Sequence, residues 1–153
     1  MRKRPRSRSM NDDRGSAALE FITVGVILLV PLVYLIVALG SIQEHTLGAE
    51  AAARHLARVI ARAPDAETAA AHGDRVVANI ADQYGINRGS LEVSVTCAPR
   101  TAECPAPGAL VTVTVATRVP LPLVPSVLGL DAAASIPVEG VAVQKVSRLW
   151  GAS

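Results

Sequence analysis

From Phe21 to Leu39 the chain runs for nineteen residues without a charged side chain. At about 1.5 Å of rise per residue such a helix covers nearly the roughly 30 Å of a bilayer's hydrocarbon layer, and Ala17, Ala18 and Leu19 extend it. Pro31 removes one helical hydrogen bond, so a span kinked near Pro31 is expected. The pattern then changes from uniformly apolar to one-sided. Ile42, Thr46, Ala49, Ala53, Leu56, Val59 and Ile60 recur at steps of three and four, with Gln43, Glu44, Glu50, Arg54, Arg58 and Arg62 between them. That period predicts a continuing amphipathic helix, so the stem reaches from about Ser16 to Ala61. Its length would be roughly 70 Å, with an outer half whose alanines allow close approach by a sheet or a neighbouring stem.

Pro64 and Asp65 interrupt this helix and start another, because Asp65 is a good N-cap and Glu67 adds negative charge to the first turn. The second helix is expected to end near Tyr84, with Val76, Val77, Ile80 and Tyr84 on its apolar face and Asp74, Arg75 and Asp82 in water. Two alternating segments follow, Leu91 to Cys97 and Leu110 to Val119, whose period of two predicts a hairpin. Pro120, Pro122 and Pro125 then favour an extended apolar connector, with Leu121, Leu123, Val124 and Leu128 crossing the core. Ala133 to Val146 reads as a third strand in which Gly140 marks a bulge, and Trp150 caps the core or rests on the stem. The expected fold class is α+β: a long transmembrane and stem helix, a short helix and a small antiparallel sheet of about three strands.

Charge adds a direction. The first fifteen residues hold six cations and two carboxylates, a net +4, whereas the whole chain is +2, leaving −2 after Gly15. A basic flank stays on the cytoplasmic side of an inserted helix, which sends everything after Gly40 to the outer face. The basic balance therefore belongs to the leader, and nucleic acid is not expected as a partner. Four parts result: a basic leader (1–15), a membrane half of the stem (16–40), an extracytoplasmic amphipathic half (41–62) and a small end of one helix and an antiparallel sheet (63–153). Cys97 and Cys104, seven positions apart in a segment placed outside the membrane, read as one disulfide closing a loop. A zinc site is the alternative, but no second Cys or His pair stands at ligand spacing.

The most informative charge is the carboxylate of Glu20, at the doorway of the apolar run. An ionised group at the edge of the hydrocarbon layer is costly and is kept for a partner or a function. A short basic leader, Gly15, then Ser16 with Glu20 as the fifth residue and Phe21 as the sixth counted from Ser16, resembles the processing site of type IV prepilins. The string Arg14-Gly15-Ser16-Ala17-Ala18-Leu19-Glu20-Phe21, the extended helix behind it and the small β-rich end look most like the TadE family of minor pilins in bacterial tight-adherence (Flp-type) pili. The resemblance is strongest from Arg14 to about Ile60 and rests on layout beyond that.

It implies cleavage between Gly15 and Ser16 by a membrane prepilin peptidase. It further implies work with major and other minor pilins and with an assembly platform in the membrane, after insertion into the lipid bilayer. Glu20 would pair with the new α-amino group of a neighbouring subunit, and Gly15 would let the peptidase approach the backbone. Glu20 could instead serve only as a helix start signal beside polarised N-terminal amides. Two other readings of the leader stand beside the pilin one: an unprocessed single-pass anchor, and a secretory signal cleaved after Gly40 in Ala38-Leu39-Gly40. The apolar run is longer than the roughly 7–15 residues of a signal core and has an acidic residue before it.

Nothing in the pattern points to catalysis. His45, His55 and His72 are not at the spacing of a helical metal pair, no serine sits in a G-x-S-x-G setting, and no glycine loop cradles phosphate. One Phe, two Tyr and one Trp offer no stacking platform. A non-enzymatic role without cofactor or metal is expected.

Overall fold

A computed structural model describes residues 12–100, 104–124 and 129–151. The leader residues 1–11 lie outside the described residues. Contacts divide the chain into two compact units, residues 1–37 and 38–153. The first is the apolar beginning of α1, the helix Asp12–Arg62. From Ala17 this helix is long and apolar enough to cross a membrane, with a mean hydropathy of 2.8 in its most apolar stretch. Ile22, Ile27, Leu28, Leu32 and Leu35 are all exposed. A helix that turns large apolar side chains outward on every side needs an apolar solvent. The helix begins four residues ahead of the expected Ser16. No proline stands between Asp12 and Ser16, and a lone Gly15 costs a helix only about 1 kcal/mol.

The second unit takes up the rest of α1. Ala49, Ala52, Ala53, Leu56, Ala57 and Ala61 are buried, whereas Gln43, Glu44, Arg54, Arg58 and Arg62 are exposed, as the period requires. The second helix, α2, is Ala66–Gln83. Its cap is Asp65, whose carboxylate accepts from the Thr68 backbone N–H at 2.7 Å. That backbone hydrogen bond holds the Asp65 carboxyl below the usual carboxylate range. A 3-10 turn, Arg88–Ser90, follows. Strands β1 (Glu92–Ala98), β2 (Leu110–Pro120) and β3 (Ser135–Lys145) form an antiparallel sheet in the order β1-β2-β3. A four-residue helix, α3 (Leu130–Ala133), precedes β3 and was not anticipated.

Register explains the core. Val93, Val95 and Cys97 lie opposite Val115, Val113 and Val111, and Gly140 and Ala142 lie on the other side of Val115 and Val113. Val111, Val113 and Val115 are almost wholly buried and pack with Ala52, Ala53, Leu56, Ala57, Ala61 and Ile80. Thr117 is the buried polar exception, and its hydroxyl meets that of Ser90 at 3.1 Å. After β3 the chain turns back to the stem. Ser147 N–H donates to the Ala61 carbonyl at 3.0 Å, and Gly151 N–H to that of Pro64 at 2.8 Å. These bonds satisfy carbonyls at and just beyond the last turn of α1, where helical partners run out. They also seat Trp150 against the core.

Two expectations are corrected. Gly140 is no bulge, because β2 and β3 pair without interruption from Leu110–Lys145 to Pro120–Ser135. A Cβ at Gly140 would instead collide with the backbone of α1, at the Ala49 carbonyl and the Glu50 nitrogen. Nor does Leu123 cross the core. It has a φ of +66° and is 89% exposed, since a left-handed residue turns the chain and carries its side chain outward. Leu121 and Val124 are half-buried, and Leu128 lies outside the described residues.

Gly140→Ala should therefore lower stability by about 2 kcal/mol or more, the order of an overpacked core. Gly40→Ala, whose Cβ would meet nothing within 4 Å, should be neutral or slightly stabilising. Chemical denaturation of the full chain in detergent, followed by fluorescence of its single tryptophan, measures both. Equal midpoints for the two variants would refute the close approach.

Candidate functional site

The head of α1 carries the residues marked by the sequence. The backbone of Gly15 and Ser16 is already helical. Glu20 is exposed one turn later and has no hydrogen bond or ion pair among the described residues. Phe21 is 80% exposed beside it. The only other polar side chain in the next turn, Thr23, is satisfied locally, its hydroxyl donating to the Leu19 carbonyl at 2.7 Å. Between Ala17 and Leu39 the helix carries one carboxylate, Glu20, among mostly exposed apolar side chains. Such a group can recruit a cation.

The disulfide is present. Cys97 stands next to last in β1, opposite Val111, and is joined to Cys104 with the two Cα atoms 5.7 Å apart. Beside it, between α2 and β1, runs a groove of about 330 Å³ lined by Leu56, Ile60, Ala69, Val77, Val93 and Val95, with Cys104 and Pro105 at its wall. Val93 and Val95 point to the core face yet remain 43% and 39% exposed, so the helices cover β2 more fully than β1. Asp74 is the one charged residue in this lining. No general acid and base pair converges there.

The histidines stay apart: the His45 ring nitrogen lies 2.9 Å from the Ser41 carbonyl, and His55 and His72 are exposed. Among the described residues no three His, Cys, Asp or Glu side chains come together as metal ligands do.

Two glycines matter more than sequence reasoning allowed. At Gly140 the missing side chain lets the backbone of α1 approach the strand. At Gly48 a Cβ would press on Ile86 Cδ1 at 2.8 Å and on Tyr84 Cγ at 3.0 Å, so the turn after α2 sits directly on α1. The available signal was the position of Gly48 on the same small-residue face as Ala49 and Ala52.

Compared with known proteins, the chain matches no family model, no curated protein and no solved structure. The local geometry therefore carries the functional reading.

Replacing both Cys97 and Cys104 by Ser should lower stability by about 2 kcal/mol, since so short a loop constrains the unfolded chain only modestly. Denaturant unfolding of the full chain measures it, and an unchanged midpoint would show that the bridge adds nothing to the folded state.

Proposed function

We propose that this chain is a non-enzymatic assembly subunit of the TadE-like minor pilin type, trimmed after Gly15 and inserted with its basic leader cytoplasmic and residues after Gly40 outside. The observation that carries the reading is Glu20, a carboxylate without a partner among the described residues on an apolar helix. Trimming creates an α-amino group at Ser16, the cation that a neighbouring Glu20 requires. In a medium of low dielectric a charge pair of good geometry is favourable, whereas leaving one member alone costs several kcal/mol. Docking in the correct register is thereby rewarded and misregister penalised. Phe21 adds a large apolar surface beside the charge.

The helical backbone at Gly15 and Ser16 adds a requirement. A peptidase takes its substrate extended, so the first turn of α1 has to unwind before cleavage. Gly15 lowers the cost, being about 1 kcal/mol less favourable than Ala within a helix. Partners on this reading are the prepilin peptidase, other pilins and a membrane assembly platform. The unprocessed single-pass anchor is the second reading, favoured by that same helical turn across the cleavage point.

The N-terminal residue of protein recovered from membranes or sheared filaments decides between them. Ser16 is expected; Met1 selects the anchor, and Ser41 a secreted form. Glu20→Ala should be trimmed normally yet enter filaments at least about tenfold less, because an unpaired amine costs several kcal/mol and about 1.4 kcal/mol is a factor of ten. Normal incorporation of this variant would end the charge-pair mechanism. Gly15→Leu should accumulate as the untrimmed precursor on an immunoblot; trimmed protein from it would remove the role assigned to Gly15.

A further inference from the structure

Between β2 and β3 the chain runs from Val119 to Leu130 without a charged residue, bounded by Arg118 and Asp131. The neck of this connector is closed by a hydrogen bond from the Leu121 N–H to the Ala134 carbonyl at 3.2 Å. Past the neck Leu123 is 89% exposed, carried outward by its left-handed backbone, and Leu130 is 48% exposed. A large apolar side chain projecting from an uncharged connector is suited to a partner or a membrane.

Its height along α1 selects the membrane. Gly140 of β3 passes Ala49, and the Ser147 N–H bonds to the Ala61 carbonyl. The chain from Gly140 to Ser147 therefore runs beside α1 in the same direction, with roughly 23 Å of extended chain matching roughly 18 Å of helix. The stretch from Gly140 back to Ser135, where β3 begins, then covers roughly 13 Å of helix axis, which sets the strand end level with about Gly40. Pro120 at the end of β2 pairs with Ser135, so both ends of the connector start from that level. Leu39, where the apolar run ends, belongs to the same compact unit as the sheet. Ala38 there is 6% exposed beside Leu39 at 48%, so the fold covers one side of α1 down to that residue.

We propose that this connector dips into the surface of the bilayer that α1 spans, with Leu123 and Leu130 at the boundary between headgroups and acyl chains. Interfacial segments bury their apolar side chains about 5–10 Å into that boundary. Continuity with the apolar run favours lipid as the occupant, since the connector leaves the sheet at the height where the run meets the headgroups. Arg118 is exposed at the base of the connector and has no ionic partner among the described residues. It shares a cleft of about 320 Å³ with His45, Asn87 and Ser135. A side chain of this length can lay its methylenes on apolar surface and hold its guanidinium among lipid phosphates. A single spanning helix leaves the outer unit free to lean, and an interfacial anchor limits its tilt. The contact needs α1 in a membrane and holds for a trimmed or an untrimmed chain.

The test puts a nitroxide label on the full chain in vesicles of phosphatidylcholine and phosphatidylglycerol, through Leu123→Cys. Ile27→Cys in the span and Leu149→Cys beyond the end of α1 serve as references in separate proteins, both at exposed positions. Cys97 and Cys104 are bonded to each other and take no label. The label at 123 should collide with dissolved oxygen about as often as the one at 27, and with a water-soluble nickel chelate at least about fivefold less than the one at 149. Equal nickel collision at 123 and 149 would overturn the proposal. So would a label at 123 shielded from oxygen and nickel alike, the mark of a protein cover. Nickel access at 27 would remove the span and the lipid contact together. The N-terminal residue does not enter this measurement, so loss of the lipid contact leaves the assembly reading standing, and an untrimmed chain leaves the lipid contact standing.

Discussion

The second unit depends on how closely α1 can approach the sheet. Where Gly140 passes Ala49, the strand has no side chain and the helix has only a methyl group, so backbone meets backbone. Ala52, Ala53 and Ala57 continue that shallow surface, and Val111, Val113 and Val115 fill it from β2. Large side chains at these helix positions would hold the layers apart and leave voids that cost stability roughly in proportion to their volume. The rest of the core is arranged around this contact. The turn after α2 sits on Gly48, and the tail bonds to Ala61 and Pro64, so elements distant in sequence are fastened to one helix.

That geometry leaves a one-sided domain. β2 is buried beneath the helices, while β1 keeps two half-exposed valines at the edge of the α2 groove. The Cys97–Cys104 bridge secures the end of this less covered strand, where apolar contact alone supplies less. A small domain with a modest core gains from such a staple, because burial grows with size and little is available here.

Most of the architecture was legible because it follows from short-range periodicity. The change from an uninterrupted apolar run to steps of three and four separated the outward-facing part of α1 from its packed part, and Asp65 marked the start of α2. Alternation in β1 and β2 predicted their pairing, and the two cysteines found each other. What escaped depends on distance in space. Gly140 looked like an irregularity of its own strand because the reason for it lies on α1, ninety-one positions earlier at Ala49. Leu123 looked like core by composition, and a single left-handed backbone turn sent it outward. At the head of α1, sequence singled out Gly15, Ser16, Glu20 and Phe21, but a carboxylate whose proposed partner is another molecule leaves no contact in one chain.

The charges themselves divide by this criterion. Glu50 with Arg54 and Asp82 with Arg88 are paired within the chain at the surface, where such pairs contribute little to stability. Glu20 has no such partner among the described residues, and neither do Glu44, Arg58 and Arg62 on the same helix or Asp74, Arg75, Glu139 and Lys145 on other elements. On the proposed reading Glu20 works in hydrocarbon, where an unpaired charge is strongly penalised, and so supplies most of the energy of docking. Glu44, Arg58 and Arg62 lie beyond the apolar run, where water and salt screen them. Register follows from that asymmetry, because a displaced neighbour leaves both the Glu20 carboxylate and the new amine unpaired.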